Sequence, residues 1–135
     1  LAGHSSGAYA IAHLAGASPG TLHVLAVSPP LSGKVLLSAR EAMGPAAIEA
    51  VKAEAPLFYA EMPVADAAPA LRQSRAPLAV VTGAEDGLVR LHDARNYFQT
   101  APDARFFAAL PNEHHCPAGA VCGQMLASAL AMVGA

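Results

Sequence analysis

The chain has 135 residues, of which 54% are hydrophobic and 13% are charged, and its formal net charge is −2. This length fits one domain at most, and the apolar content predicts a globular, well-buried chain and excludes a disordered one. The slight negative charge gives no reason to expect a nucleic acid or an anionic membrane surface as a partner, and no apolar run approaches the roughly 18–20 residues of a membrane span.

Two elements are predicted in the first thirty residues. Residues 5–15 predict a helix, because apolar side chains are spaced among alanines and Gly16 provides a stop. TLHVLAVSPP, residues 21–30, predicts a short buried strand that ends at a proline pair. The apolar residues of this strand are Leu22, Val24, Leu25 and Val27.

The middle of the chain is predicted to be helical and broken into short pieces. Residues 36–75 are rich in alanine, which favours helix. Ser38 and Glu41 have the spacing of a capping box, which predicts a helix start at Ser38. Gly44 and Pro45 then predict the end of one helix and the start of the next, since proline suits a first helical turn.

Strand and helix signals alternate through the last sixty residues. Residues 76–83, APLAVVTG, are nearly continuous in apolar side chains and predict a strand covered on both faces of a parallel sheet. Residues 88–99 predict an amphipathic helix, and residues 104–110 predict a second buried strand. Residues 117–133 predict a closing helix with proline in its first turn. The alternation predicts an α/β fold, a parallel sheet flanked by helices.

The pentapeptide GHSSG, residues 3–7, fits the pattern G-x-S-x-G of a nucleophilic serine on a strand-to-helix turn. Both flanking positions are expected to be small, because the backbone doubles back there. The turn directs the amide of Ser6, at the start of the helix, toward a developing oxyanion. Chance alone produces the pattern in roughly 5% of chains of this composition, so its context decides.

Two further residues stand where a serine nucleophile needs its partners, a base and an acid that orients the base. Asp86 follows the predicted strand 76–83, and His115 follows the predicted strand 104–110. Parallel sheets of this type keep their chemistry at the carboxyl ends of the strands. Serine, aspartate and histidine therefore occur in chain order, each directly after a predicted strand.

The sequence resembles the α/β-hydrolase family from its nucleophile elbow onward. The elbow and its helix resemble GHSSG with AYAIAHLA, and the family's next strand resembles VLAVSPP. The strand that leads to the acid resembles PLAVVTGAEDGLV, and the loop that carries the histidine resembles ALPNEHHCP. The resemblance covers residues 1–31 and 76–133. It implies that residues 1–135 are a single, incomplete α/β-hydrolase domain, in which residues 32–75 form a small helical cap-like insertion.

The resemblance also implies a role for each candidate residue. Ser5, the middle residue of the pentapeptide, is the nucleophile, and Asp86 is the acid, with Glu85 as the alternative. His115 lies four residues after the proline of its loop, where the family usually has its histidine, and His114 is its competitor. No cofactor is implied.

The sequence departs from the family pattern before the elbow. An α/β-hydrolase has several more strands there, and a loop that supplies a second oxyanion-hole amide. We therefore expect a C-terminal fragment of a longer hydrolase, in which the Ser6 amide is the remaining donor. The loss of one oxyanion donor lowers turnover about 100- to 1,000-fold. The fragment would also expose a sheet edge that invites pairing with another chain.

The expected activity is hydrolysis of a carboxylic ester through an acyl-enzyme. A carbon–carbon hydrolase or lyase with the same triad is one alternative, and a non-catalytic half-domain that associates through its sheet edge is another. A small, apolar, uncharged ester is the preferred substrate, because no arginine cluster is visible. The residues expected to line the substrate pocket are Leu57, Phe58, Tyr59 and Met62. Their alternative role is to pack the cap onto the sheet.

The sequence HHCPAGAVC, residues 114–122, crowds two histidines and two cysteines together in the manner of a metal site. Zinc sites usually combine ligand pairs from separate parts of the chain, and this spacing matches none of them. We therefore predict no metal and interpret Cys116 and Cys122 as small helix-packing residues. The compartment and the oligomeric state stay open.

Overall fold

The computed structural model describes residues 1–21 and 23–134, which form four strands and seven helices. The strands are β1 (Ala2–His4), β2 (Val24–Val27), β3 (Leu78–Gly83) and β4 (Ala104–Leu110). The helices are α1 (Ser6–Ala17), α2 (Gly33–Met43), α3 (Pro45–Glu54), α4 (Pro56–Glu61), α5 (Ala68–Gln73), α6 (Leu91–Thr100) and α7 (Gly119–Gly134). The strands pair in parallel in the order β1-β2-β3-β4, which confirms the predicted α/β fold class.

The sheet has a hydrophobic core on each face, and β3 runs between them. All six residues of β3 are buried, as its nearly continuous apolar run predicts. Val80 belongs to the larger core, which contains residues of α1, α5 and α6. Val81 faces the other way and packs in a smaller core against α7. The two cores hold β3 firmly, so the loop that follows it starts from a rigid support.

The parallel arrangement brings the ends of three strands to one edge of the sheet. β1 ends at His4, β3 at Gly83 and β4 at Leu110, and a loop or turn follows each of them. β1 pairs with β2, with Ala2 opposite Leu25, and within the described residues no strand pairs with its other edge. The carboxyl edge of such a sheet is the common location of catalytic residues.

Helix α1 is fixed against α6 by a buried hydrogen bond. The hydroxyl of Tyr97 donates to the carbonyl oxygen of Ala8 over 2.7 Å, and the ring is fully buried. Burial raises the pKa of this phenol far above its usual value. The hydroxyl therefore stays a donor, and the first turn of α1 has a defined position relative to the sheet.

The middle segment contains α2 to α5, and its two ends are held together. The amide of Gly33 donates to the carbonyl of Ala65 over 2.7 Å, and the amide of Ala67 donates to the carbonyl of Leu31 over 2.9 Å. The predicted boundary at Gly44 and Pro45 is confirmed, since α2 ends at Met43 and α3 begins at Pro45. None of the helices in the described part of the chain is both long and apolar enough to span a bilayer.

The predicted start of α2 is wrong. The helix begins at Gly33, and the hydroxyl of Ser32, just before it, accepts a hydrogen bond from the amide of Val35 over 3.3 Å. Ser38, predicted to form a capping box with Glu41, lies inside the helix. Ser32 has the extended backbone that an N-cap needs, and a helical residue such as Ser38 does not.

Several predicted boundaries also shift. Helix α1 continues through Gly16 to Ala17, and β2 is shorter than the predicted strand, of which Leu22 lies outside the described residues. α6 begins at Leu91 and not at Leu88, because the carboxylate of Asp86 binds the backbone amide of Leu88 in a turn.

The closing helix begins later than predicted. Pro117 precedes α7, which starts at Gly119, so the proline is not in the first turn. Cys122 is buried against the sheet, as a helix-packing residue would be, but Cys116 is exposed in the loop before the helix. The packing interpretation is therefore wrong for Cys116. Among the described residues, no group of three or more histidine, cysteine or acidic side chains is placed to hold a metal ion.

Candidate active site

Ser5 lies in a strained turn between β1 and α1. Its backbone has φ 55° and ψ −117°, a conformation that is costly for a residue with a side chain. The amide of Ser5 donates to the carbonyl of Val27 on β2 over 2.9 Å, which holds the turn against the sheet. The hydroxyl makes no capping bond to α1 and is therefore available to another partner.

Of the two glycines beside this turn, one is required by close contact. A Cβ atom on Gly3 would lie 2.6 Å from the carbonyl carbon and oxygen of Gly7, closer than real Cβ atoms approach backbone. A Cβ atom on Gly7 would meet nothing within 4 Å. The expectation that both flanking positions must be small therefore holds for Gly3 and not, within the described residues, for Gly7.

His115 connects Ser5 to Asp86. Its Nε2 atom lies 2.9 Å from the Oγ of Ser5, and its Nδ1 atom lies 2.9 Å from the Oδ2 of Asp86. Because an ionised carboxylate can only accept, the proton of the imidazole is on Nδ1, and Nε2 is free to accept the serine proton. This arrangement can raise the nucleophilicity of the Ser5 hydroxyl.

Asp86 is held ionised at the far end of this chain of hydrogen bonds. Its side chain is fully buried, and its Oδ1 accepts from the amides of Leu88 and Val89 over 2.8 and 2.9 Å. Burial by itself raises the pKa of the carboxyl group, but the hydrogen bonds from His115 and the two amides outweigh it, and the pKa is lowered. The carboxylate can therefore orient the imidazole and stabilise an imidazolium.

The competing residues of each pair lie outside this network. The exposed His114 donates from Nδ1 to the carbonyl oxygen of Glu85 over 3.1 Å. Glu85 is itself exposed, and its amide donates to the carbonyl of Glu113. The structure thus brings His115 and Asp86 to Ser5 and leaves the neighbouring His114 and Glu85 on the outer surface of the two loops.

Sequence reasoning missed Ser28, which holds the backbone of the candidate base. Its hydroxyl donates to the carbonyl oxygen of His115 over 2.9 Å, and Nε2 of His4 donates to the same oxygen over 2.7 Å. Ser28 is fully buried and has φ 48°, with its amide bound to the carbonyl of Val81. The predicted strand, residues 21–30, includes Ser28, whereas β2 ends at Val27 and leaves Ser28 at the same carboxyl edge as Asp86.

Gly83 makes room for the histidine loop. It is the last residue of β3, and a Cβ atom there would lie 2.2 Å from the carbonyl oxygen of His114 and 2.4 Å from that of Glu113. The loop therefore passes directly over the backbone of Gly83. Only glycine permits this approach, which links the end of β3 to the position of His115.

A cavity of about 210 Å³ opens beside Ser5. One wall is a stripe on α2, and Ser6, at the start of α1, also borders the cavity, where a helix N-terminus favours developing negative charge. The lining residues are His4, Ser5, Ser6, Leu36, Ala39, Arg40, Met43, Leu88 and His115.

The four residues expected to line a substrate pocket do not border this cavity. Met62 is 2% exposed and lies in the larger core, whereas Leu57 is 81% exposed. Phe58 and Tyr59 pack against the core, and the ring of Phe58 lies 6.1 Å from that of Tyr9 on α1. Phe58 of α4 thus contacts Tyr9 of α1, while residues of α2 line the cavity next to Ser5.

The fold is that of known hydrolase structures. An esterase domain from a Rhodothermus marinus protein matches with a TM-score of 0.75 and 20% identity, over 96% of this chain and 57% of that domain. E-2-(acetamidomethylene)succinate hydrolase matches with a TM-score of 0.65 and 19% identity, over 100% of this chain and 66% of that chain. A monoacylglycerol lipase from Paleococcus ferrophilus matches with a TM-score of 0.57 and 20% identity, over 86% of this chain and 59% of that chain.

At these identities the likeness establishes the fold, which is the α/β-hydrolase fold, and the predicted resemblance is confirmed at that level. No protein-family model matches the sequence, and no curated protein matches it. The chain spans a little over half the length of the esterase domain that it resembles.

Proposed function

We propose that this chain carries the catalytic serine, histidine and aspartate of an ester hydrolase that works through an acyl-enzyme. The observation that carries the proposal is the unbroken series of hydrogen bonds from the Ser5 hydroxyl through His115 to Asp86, with 2.9 Å at both links. The names of the structural neighbours, among them an esterase and a lipase, support the same class of reaction.

In the proposed mechanism, the Oγ of Ser5 attacks the acyl carbonyl carbon while His115 Nε2 takes the hydroxyl proton. The negative charge that develops on the carbonyl oxygen is stabilised by the Ser6 amide at the start of α1. The tetrahedral intermediate collapses when the imidazolium gives the proton to the leaving alcohol, which produces the acyl-serine. Water then attacks the acyl-serine with His115 as base, and the carboxylic acid leaves with Ser5 regenerated.

Asp86 is proposed to stay ionised throughout the reaction. Its lowered pKa and its two backbone amide donors keep it a hydrogen-bond acceptor, so it holds the His115 proton on Nδ1. Its charge also stabilises the imidazolium that forms during each half-reaction. An amide in its place would favour the wrong tautomer of the imidazole.

The experiment is covalent labelling with a fluorophosphonate, which reacts with activated serine hydroxyls. The chain offers a neighbouring control for each proposed residue: Ser6 for Ser5, His114 for His115 and Glu85 for Asp86. Ser5→Ala should abolish labelling, and His115→Ala and Asp86→Asn should slow it at least about 10⁴-fold. Ser6→Ala keeps the backbone amide and should label at the parent rate.

His114→Ala and Glu85→Gln should also label at the parent rate, because their side chains lie outside the hydrogen-bonded network. A folded parent chain that does not label would contradict the proposal. In that case a mass that rises with protein concentration in sedimentation would favour the half-domain alternative. If labelling occurs, comparing esters with carbon–carbon substrates would separate the hydrolase from a lyase.

A further inference from the structure

Among the described residues that line the cavity beside Ser5, one carries a permanent charge, Arg40. On α2, residues 36, 39, 40 and 43 recur at helical spacing and form the wall that faces Ser5. Three of these four residues are apolar, and the remaining lining residues are serines, histidines and Leu88. Arg40 therefore places a positively charged residue in a wall that is otherwise apolar.

Arg40 has no acidic partner within residues 1–21 and 23–134. The ion pairs there involve Lys52, His92, Arg105 and His115, and Arg40 takes part in none of them. Arg40 is half-buried and lines the cavity, and no acidic side chain of the described residues is paired with it there. A guanidinium presents paired N–H donors that match a carboxylate in geometry and charge.

A second cavity, of about 370 Å³, adds to the positive potential. It lies along the same helix, shares Leu88 with the first cavity, and is lined by Lys34 and Arg90. Its acidic residue, Asp93, is 3.2 Å from the imidazole of His92. Three of the eight lysines and arginines of a chain with net charge −2 therefore border the two cavities.

From this arrangement we infer that the substrate is an ester carrying a carboxylate, which Arg40 binds while Ser5 attacks the ester carbonyl. The inference rests on the proposed function and replaces the uncharged substrate expected from sequence. The volume of about 210 Å³ suits a small acyl group, and Leu36, Met43 and Leu88 offer apolar contact to the carbons between carboxylate and ester. A monoester of a short dicarboxylic acid has this chemistry.

The test measures binding in the Ser5→Ala variant, so that it does not depend on catalysis. Monomethyl succinate, which is anionic, is compared with dimethyl succinate, which has a similar shape and no charge, by titration followed with NMR. The anion should bind about 10-fold more tightly or better, and Arg40→Gln should weaken its binding by about 10- to 100-fold. Arg72→Gln, which removes an exposed arginine on α5, should leave it unchanged.

Turnover gives the second readout. Arg40→Gln should lower kcat/KM for the p-nitrophenyl monoester of succinic acid at least about 10-fold more than that for p-nitrophenyl butyrate, and Arg40→Lys should restore part of the difference. The inference would be overturned if the two succinate esters bind equally or if neither binds. It would also be overturned if Arg40→Gln lowers kcat/KM equally for both nitrophenyl substrates. Carboxylate binding that depends on Arg40 in a chain that fluorophosphonate does not label would instead overturn the proposed function alone.

Discussion

Alanine at position 83 would push the loop that carries His115 away from Ser5. The new Cβ atom would lie 2.2 Å from the carbonyl oxygen of His114 and 2.4 Å from that of Glu113, where real Cβ contacts stay above 3.0 Å. Both contacts are backbone atoms, so no side chain can rotate to relieve them. The loop must move by about 1 Å, and a displacement of that size costs about 100-fold in rate when reacting groups are aligned.

The assay is the second-order rate constant of fluorophosphonate labelling, measured beside the thermal unfolding midpoint. Gly87→Ala is the matched control, because a Cβ atom there meets nothing within 4 Å although Gly87 directly follows Asp86. We expect Gly83→Ala to label about 100-fold more slowly and Gly87→Ala to label at the parent rate. The reasoning is refuted if folded Gly83→Ala labels as fast as the parent chain, or if Gly87→Ala loses as much.

Three further predictions follow from individual contacts. Ser28→Gly removes a hydrogen-bond donor to the His115 carbonyl and relaxes a positive φ. Fluorophosphonate labelling should therefore slow about 10-fold while the stability stays nearly unchanged. A labelling rate equal to that of the parent chain would contradict the positioning role of Ser28. Because the pKa of Asp86 is lowered by folding, its ionised form stabilises the protein at neutral pH, and that stability is lost as the pH falls below about 4. In Asp86→Asn the free energy of unfolding should therefore fall less steeply at acid pH than in the parent chain. The same pH dependence in both chains would argue against this prediction. Tyr97→Phe should lower the free energy of unfolding by about 1 kcal/mol in urea titrations, and an unchanged value would show that the bond to Ala8 contributes nothing.

The location of the candidate site could be predicted because it depends on few local features. A tight turn between glycines is visible in GHSSG, and runs such as APLAVVTG identify the buried strands. Parallel strands then bring Ser5, Asp86 and His115 to one edge without knowledge of any side-chain contact. Helix boundaries were less accurate, because the cap at Ser32 and the turn at Asp86 depend on one or two side-chain hydrogen bonds each.

The sequence by itself determined the α/β alternation, the strained turn at Ser5 and the two loops that approach it, since each follows from local composition and strand direction. Only the tertiary structure decided which side chains meet. The adjacent His114 and His115 have the same chemistry, but their side chains point in different directions. Those directions are set by contacts with residues that lie 29 and 110 positions away along the chain. The cavity wall was decided in the same way, because Phe58 contacts Tyr9 of α1 in the folded chain while Arg40 of α2 lines the cavity beside Ser5.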